Sequence, residues 1–200
     1  MSPDRAHYDA AMSRGYARIC GVDEAGRGPL AGPVVCAAVI LRATSIPEGL
    51  NDSKTLSPVR RERMLNILLT SAEIAISVIE PPEIDDLNIL WASMTGMSRA
   101  VRALGADFAL IDGNRLPPDL PCDGEAIIKG DAKSLSIAAA SIVAKVTRDR
   151  LMVEADDRYP GYGLAKHKGY PTRAHMEALL ALGPTPIHRW SFAPVKKARG

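Results

Sequence analysis

Acidic residues stand where three apolar segments of this sequence stop. Asp23 and Glu24 directly follow the first segment. Asp112 ends the second in the same way, and Asp131 follows the third after a single glycine. Because strand ends gather at one edge of the sheet in α/β proteins, we expect these carboxylates to converge. Each one taken alone also fits a simpler explanation, since aspartate after a strand is a common turn former or helix cap.

Clustered carboxylates have a clear use in phosphodiester chemistry. Their hard oxygen atoms suit Mg²⁺ or Mn²⁺, which bind carboxylates, water and phosphate oxygens. Two such ions about 3.5–4 Å apart can flank a phosphodiester, where one activates water and the other stabilises the leaving oxygen. The acids would repel one another until cations bind. One condition is geometric: Asp23 and Glu24 can share a site only if their strand ends or twists there, because adjacent strand residues point to opposite faces.

Hydrophobic periodicity and turn signals predict the elements that would position these acids. Strands are predicted at residues 18–22, 34–41, 73–80, 107–111 and 126–129. Helices are predicted from Ser57-Pro58 onward and at residues 86–104, 134–157 and 172–182. Strands that alternate with helices in this way predict an α/β fold, with a mixed central sheet flanked by helices and a C-terminal helical extension.

Composition and charge narrow the class of protein. Hydrophobic residues make up 46% of the chain and charged residues 24%, as in an ordinary soluble domain. The longest uncharged apolar run, residues 29–41, is too short to cross a bilayer, and no cleavable signal segment opens the chain. We therefore expect a cytoplasmic location. The three cysteines are widely spaced and match neither a disulfide framework nor a zinc motif.

The net charge of +2 is unevenly divided along the chain. Residues 158–200 contain eight Lys or Arg and one acid, a net charge of +7, whereas residues 1–157 carry −5. An acidic body with a basic end fits a polyanion-binding surface beside a carboxylate-rich site. A solvated tail that binds nothing explains the same distribution equally well.

A series of motifs resembles one known family. Residues 21–34 read G-V-D-E-A-G-R-G-P-L-A-G-P-V, which is similar to the signature of ribonuclease HII. Further matching segments follow in the family's order, at residues 51–57, 111–114, 129–131, 138–149, 167–172 and 188–192. The resemblance covers roughly residues 18–193. It implies a ribonuclease H-like fold with a leader at 1–17, a catalytic domain at 18–158 and a basic helical extension at 159–200 that completes the substrate-binding surface.

The resemblance also implies an activity. Asp23, Glu24, Asp112 and Asp131 would be the catalytic acids and would bind two Mn²⁺ or Mg²⁺ ions. The enzyme would hydrolyse the RNA strand of RNA–DNA hybrids and incise on the 5′ side of ribonucleotides embedded in duplex DNA, leaving 3′-hydroxyl and 5′-phosphate ends. Its partners would be these nucleic acids and no membrane, and we expect a monomer.

Substrate contacts are implied for a turn, a tyrosine and a polar loop. The Gly26-Arg27-Gly28 turn matches the family's ribonucleotide sensor, where missing side chains let the backbone approach the nucleic acid. A hydrogen bond to the 2′-hydroxyl would distinguish ribose from deoxyribose. Tyr170 matches the family tyrosine that stacks on the sugar of the neighbouring nucleotide. By similarity, Ser53 and Lys54 contact the substrate backbone.

The role of Asp149 stays open. It lies 18 residues after Asp131, on the order of 27 Å along a straight helix, unless the chain reverses between them. Lys145 precedes it by one helical turn on the same face. We prefer a Lys145–Asp149 ion pair to a catalytic role for Asp149.

Three alternative functions remain. Ribonuclease HIII has the same fold but carries an additional N-terminal substrate-binding domain, whereas about 17 residues precede the first predicted strand here. A non-catalytic hybrid-binding module would bind without turnover, although all four acids are present. A structure-specific DNA nuclease or integrase on a related fold would cut all-deoxyribose duplexes equally well.

Overall fold

The computed structural model describes residues 3–51 and 53–198. Met1, Ser2, Asp52, Arg199 and Gly200, which belong to the predicted leader, the 51–57 motif and the basic extension, lie outside the described residues. The described elements are α1 (Ala6–Ser13), β1 (Ile19–Ala25), β2 (Val34–Leu41), α2 (Pro58–Ser71), β3 (Ala72–Ile79), α3 (Pro81–Leu87), α4 (Ile89–Leu104), β4 (Phe108–Asp112), β5 (Asp123–Ile127), a 3₁₀ turn (Gly130–Ala132), α5 (Leu135–Arg158), α6 (Leu164–His167), α7 (Arg173–Leu182) and α8 (Ala193–Lys197). Within this part of the chain, no helix combines the length and the apolar character that crossing a membrane requires.

The five described strands form one mixed sheet in the order β3-β2-β1-β4-β5. Strands β1, β2 and β3 pair antiparallel, while β4 runs parallel to both β1 and β5. The β1–β4 register pairs Val22 with Ile111, so Asp23 and Asp112 are the next residues on their strands. The predicted α/β fold with a mixed central sheet is confirmed, and its register brings two of the predicted acids side by side.

Helices cover both faces of the sheet. Every residue of β2 is buried, as expected of an unbroken apolar strand that is packed on two sides. One face packs against α4 and the other against α5, whose middle is rich in alanine. At Gly21 a side chain would come within 2.0 Å of the Ser136 backbone, so glycine and the small residues of α5 allow a very close approach. This contact fixes the start of α5 against β1, next to the candidate site.

The structure differs from the sequence prediction at several boundaries. The predicted helix 86–104 is two helices, α3 and α4, because Asn88 adopts a positive φ of 64° and caps α4 by accepting hydrogen bonds from Leu90 N and Trp91 N. The strand predicted at 126–129 is β5 at Asp123–Ile127, a partly exposed edge strand whose polar residues hide the pattern. Helix α1 lies within the predicted leader, and α6 and α8 were not predicted.

Candidate active site

Asp23 and Asp112 lie next to each other on the neighbouring parallel strands β1 and β4, towards the carboxyl-terminal ends of both. Both follow the last paired residues of the parallel β1–β4 ladder. Asp23 is only 5% exposed and shares its face of β1 with Gly21, which packs against α5. The parallel pairing therefore fulfils the expectation that carboxylates from separate strands meet at this edge.

Glu24 reaches the same place from the opposite face of β1. The strand neither ends nor breaks after Asp23 but continues to Ala25, so adjacent side chains alternate. Strand β4 ends at Asp112, so no β4 residue lies beside Glu24. Glu24 can therefore line a cleft together with Asp23 and Asp112. It also lines a second pocket of about 270 Å³ on the α4 side, together with Leu90 and other residues of that helix. We expect from the sequence that the strand ends or twists at this point, but the strand continues to Ala25 and the two acids still line one cleft.

Asp131 arrives through a tight turn after β5. Lys129 adopts a left-handed conformation, with φ of 57°, and a 3₁₀ turn at Gly130–Ala132 follows. The Gly130 N–H donates to Asp112 Oδ1 at 2.6 Å, and a side chain at Gly130 would meet Ile137 Cδ1 at 2.5 Å. The turn is thereby tied to the end of β4. Asp131 itself is 4% exposed, and its Oδ2 accepts a hydrogen bond from Lys54 Nζ at 2.7 Å.

A cleft of about 280 Å³ brings together most of the predicted site residues. Its lining contains three of the acids, the glycine turn and the tyrosine that the sequence predicted, and Asp131 is not among its wall residues. The walls are formed by Asp23, Glu24, Ala25, Gly26, Arg27, Gly28, Ser53, Lys54, Asp112, Ser141, Lys145, Arg148 and Tyr170.

Burial, and to a lesser extent the neighbouring acids, raise the pKa values of the carboxyl groups in this cleft. The pKa of Asp23 is raised well above its usual value, first by burial and then by the charges of Glu24 and Asp112. Burial also raises the pKa of Glu24, against the opposing charge of Arg27. The pKa of Asp112 is raised by burial, although the hydrogen bond from Gly130 lowers it. Ionising these groups together is therefore costly unless a cation joins them.

The donor set fits a hard divalent cation. All four predicted ligands offer only carboxylate oxygens, which suit Mg²⁺ or Mn²⁺. Within residues 3–51 and 53–198, no three His, Cys, Asp or Glu side chains stand together as a ready-formed metal-binding group. Cationic side chains instead contact two of the acids: Lys54 contacts Asp131, and Arg27 Nη1 lies 3.4 Å from Glu24 Oε1. A metal ion would have to draw the carboxylates together and displace these contacts.

Ser141, on α5, belongs to the site although the sequence analysis did not assign it a role. Its hydroxyl lies 2.8 Å from Ser53 Oγ and interacts with Asp23, whose pKa it lowers against the larger effect of burial. In the sequence, Ser141 lies in the matching segment 138–149 and at i, i+4, i+8 spacing with Lys145 and Asp149. Ser53, predicted to contact substrate, is 4% exposed and directs its hydroxyl to Ser141.

Asp149 lies outside the cleft. Lys145 Nζ and Asp149 Oδ1 are 2.7 Å apart, so the preferred ion pair is present. Both residues line a larger neighbouring groove of about 670 Å³, together with the basic residues Arg61, Lys166 and Lys168. Lys145 lines the cleft as well, so the groove and the cleft meet at this residue.

Gly28, in the Gly26-Arg27-Gly28 turn, and Tyr170 lie side by side in the wall of the cleft. A side chain at Gly28 would come within 3.4 Å of Tyr170 Cε1, and the tyrosine is 43% exposed. Gly26 has a φ of 100°, and a side chain there would lie 2.0 Å from Arg148 Nε. The glycine at 26 is thus required by backbone conformation and by a buried arginine.

Comparisons with known proteins agree on one family. The sequence model described as ribonuclease HII matches residues 20–195. The chain is 57% identical over 189 residues to ribonuclease HII of Magnetococcus marinus, covering 92% of this chain and 89% of that protein. It is 56% identical over 197 residues to ribonuclease HII of Ruegeria pomeroyi, covering 98% and 84%.

Solved structures share the fold. Ribonuclease H2 of Pyrococcus horikoshii OT3 superimposes with a TM-score of 0.75 at 27% identity, covering 91% of this chain and 97% of that one. The Bst ribonuclease HIII solved in complex with Mn²⁺ gives a TM-score of 0.64 at 20% identity, covering 95% and 71%. At that identity the second likeness speaks for the fold alone.

Proposed function

The chain belongs to the ribonuclease HII family, and we propose that it is an endonuclease that hydrolyses the RNA strand of RNA–DNA hybrids and incises 5′ to ribonucleotides embedded in duplex DNA. The observation that carries this proposal is the meeting of Asp23, Glu24 and Asp112 in one cleft with the glycine turn and Tyr170. A carboxylate cluster suits phosphodiester hydrolysis, and the turn and aromatic ring supply a surface for the nucleotide.

We assign the metal ligands to Asp23, Glu24, Asp112 and Asp131, and expect two Mn²⁺ or Mg²⁺ ions. When bound, such cations supply Lewis-acid chemistry, which activates water and stabilises the leaving 3′ oxygen. The raised pKa values of Asp23, Glu24 and Asp112 support the assignment, because burial and mutual repulsion make the ionised cluster depend on a cation.

Arg27 and Lys54 are suited to bind the substrate's phosphates. Their side chains are 49% and 77% exposed, yet each contacts a carboxylate of the cluster. The carboxylates that they contact are largely buried, so either side chain can leave for a phosphate group only if another cation takes its place, as the proposed metal ions would. Arginine and lysine contacts of this kind position a nucleic acid without reading its sequence. We propose that both residues change partners when substrate and metal bind.

Discrimination of the ribonucleotide is assigned to Gly26, Arg27, Gly28 and Tyr170. Backbone groups of the turn lie at the cleft wall, where a hydrogen bond to a 2′-hydroxyl would separate ribose from deoxyribose. Tyr170 lies directly beside Gly28 at the cleft wall, and its exposed ring can stack on the sugar of a nucleotide bound there. Ser53 stays a predicted contact at the same wall.

The remaining assignments concern the whole chain. We propose that residues 18–158 form the catalytic domain, that residues 1–17 form a leader, and that residues 159–200 complete the substrate-binding surface, since Tyr170 comes from this extension. We further propose that the enzyme acts as a monomer in the cytoplasm on RNA–DNA hybrids and ribonucleotide-containing DNA.

A cleavage assay tests the proposed function. The protein is incubated with Mg²⁺ or Mn²⁺ and a labelled DNA duplex that carries one ribonucleotide, with the matching all-deoxyribose duplex as the control. We expect a single cut on the 5′ side of the ribonucleotide and none in the control. Asp112→Asn should abolish the cut but leave duplex binding largely intact. Cutting of long hybrids but not of the single ribonucleotide would favour a ribonuclease HIII-like activity, and equal cutting of both DNA duplexes would refute ribonucleotide recognition.

A further inference from the structure

Two arginines beside the cleft are buried without an acidic partner. Arg148 and Arg189 are the largest fully buried side chains, at 1% and 0% exposure. Neither forms an ion pair with any acid among the described residues. The carboxylate of Asp85, whose charge acts on Arg189, accepts the backbone N–H groups of Trp190 and Ser191 instead. A buried cation is normally paired, so this arrangement calls for a specific reason.

Both guanidinium groups donate to backbone carbonyls. Arg148 donates to Pro33 O at 2.9 Å, Ala31 O at 3.2 Å and Lys168 O at 3.0 Å. Arg189 binds the same chain segment from a second position, through the carbonyls of Gly26, Arg27, Gly32 and Pro33. Carbonyl groups at positions 26, 27, 31, 32 and 33 are thereby turned towards two buried charges.

The arginines stay cationic at neutral pH. Burial lowers the pKa of Arg148 to about 10 and that of Arg189 to about 9, with repulsion between the two contributing to the second value. Both values lie above 7, so two positive charges remain next to the glycine turn. Arg148 also lines the cleft itself. The charge of Asp149 acts on Arg148 and that of Asp85 on Arg189, but neither acid forms an ion pair with its arginine, so the arginines still add attraction for a phosphate in this cleft.

The same contacts join the glycine turn to the segment that carries Tyr170. Arg148 bridges the two by binding Pro33 O and Lys168 O. Two backbone hydrogen bonds of 2.8 Å reinforce the bridge: Leu30 N donates to Gly169 O, and Arg189 N donates to Leu30 O. Lys168 has a positive φ of 53°, a conformation that a lysine in an untethered chain would rarely keep.

We propose that Arg148 and Arg189 are positioning residues for ribonucleotide recognition, an inference that rests on the proposed function. Both side chains bind backbone carbonyls in residues 26–33, and Arg148 also binds Lys168 O. These hydrogen bonds fix the spacing between the Gly26-Arg27-Gly28 turn and Tyr170. Because the carbonyls face inward, the turn presents its opposite side to the cleft. The pair thus sets how well a ribonucleotide is bound, while the carboxylates carry the hydrolysis.

Conservative variants test this proposal. Arg148→Lys and Arg189→Lys keep the positive charge but lose the planar fork that binds several carbonyls at once. Arg150→Lys is the matched control, because Arg150 lies on the same helix as Arg148, is half exposed and forms an ion pair with Glu62. Steady-state cleavage of a duplex with a single ribonucleotide gives KM and kcat, and competition by the all-deoxyribose duplex gives the selectivity.

We expect each Lys variant to raise KM for the ribonucleotide duplex about tenfold, while the affinity for the all-deoxyribose duplex changes less than twofold. The Arg150→Lys control should retain the KM of the unmodified protein. A merely structural role would lower kcat by reducing the folded fraction and would leave KM and selectivity unchanged. That second pattern would overturn the proposal.

A second variant keeps the test decisive if the arginine variants fail to fold. Gly169→Ala places a side chain 2.5 Å from Ala31 O and forces the two segments apart without touching either guanidinium. It should raise KM and reduce selectivity in the same way, and an unchanged KM in this variant would also overturn the proposal. If the unmodified protein does not cut the ribonucleotide duplex, the proposed function fails. If it cuts and the variants keep its KM, only the positioning role fails.

Discussion

Replacing Asp112 by asparagine is expected to stabilise the metal-free protein while abolishing cleavage. The charge of Asp112 helps to raise the pKa of buried Asp23 and of Glu24, so its removal relieves both neighbours. The new amide oxygen can still accept the Gly130 N–H, so the turn that follows β5 should keep its place. One like charge is therefore removed from the cluster, while the hydrogen bond from Gly130 is kept.

The size and pH range of the effect follow from the cluster. One pKa unit on a buried group corresponds to roughly 1.4 kcal/mol, so relief of Asp23 should add about 1 kcal/mol to the free energy of unfolding. A carboxyl whose folded pKa is raised binds protons more tightly in the folded state, so its destabilising effect grows as the pH rises above the unfolded value. The gain from Asp112→Asn should therefore vanish near about pH 4 and grow as the pH rises above it.

Urea unfolding in EDTA across pH 4–8 measures this difference, with Asp119→Asn as an exposed control. Saturating Mn²⁺ should make the unmodified protein more stable than the variant. An ion at 100 times its Kd stabilises the folded state by about 2.7 kcal/mol, and the variant lacks one of the carboxylates that would bind it. A variant that is less stable than the unmodified protein at pH 8 in EDTA would refute the reasoning, since it would mean that the carboxylates do not repel one another.

Two further predictions concern buried polar contacts. Ser141→Ala should destabilise the protein by about 1–3 kcal/mol, because it leaves the buried Ser53 hydroxyl without this partner. Ser53→Ala should cost less, because the Ser141 hydroxyl keeps its interaction with Asp23. The double variant should cost less than the sum, and additive losses in urea unfolding would contradict the contact. Burial lowers the pKa of His188 to about 4, so its contribution to stability is present above pH 6.5 and is lost as the pH falls towards 4. Relative to His188→Gln, which keeps an N–H donor, the unmodified protein should lose up to about 3 kcal/mol over this range, and a constant difference would exclude the effect.

The sheet and two of the acids could be predicted because side-chain pattern alone determines them. An unbroken apolar run such as Val34–Leu41 must be covered on both faces, and its strand is where the sequence places it. Asp23 and Asp112 follow the paired residues of neighbouring parallel strands, so the rule that strand ends gather ligands applies to them directly.

Other features depend on backbone groups that residue types do not reveal. Asn88 divides a continuous helical pattern by adopting a positive φ, which the apolar spacing on either side conceals. No pattern in the sequence marks Arg148 and Arg189 as buried, and only the fold brings backbone carbonyls around them. Glu24 enters the cleft from the other face of its strand because β4 ends early, and that depends on strand length.

The most direct test of the carboxylate cluster is a crystal of the protein soaked with Mn²⁺ and measured for anomalous scattering. We predict manganese peaks against Asp23, Glu24 and Asp112, with Lys54 displaced from Asp131. Manganese bound only elsewhere on the protein, with the cleft left empty at saturating concentration, would contradict the assignment of these carboxylates as metal ligands.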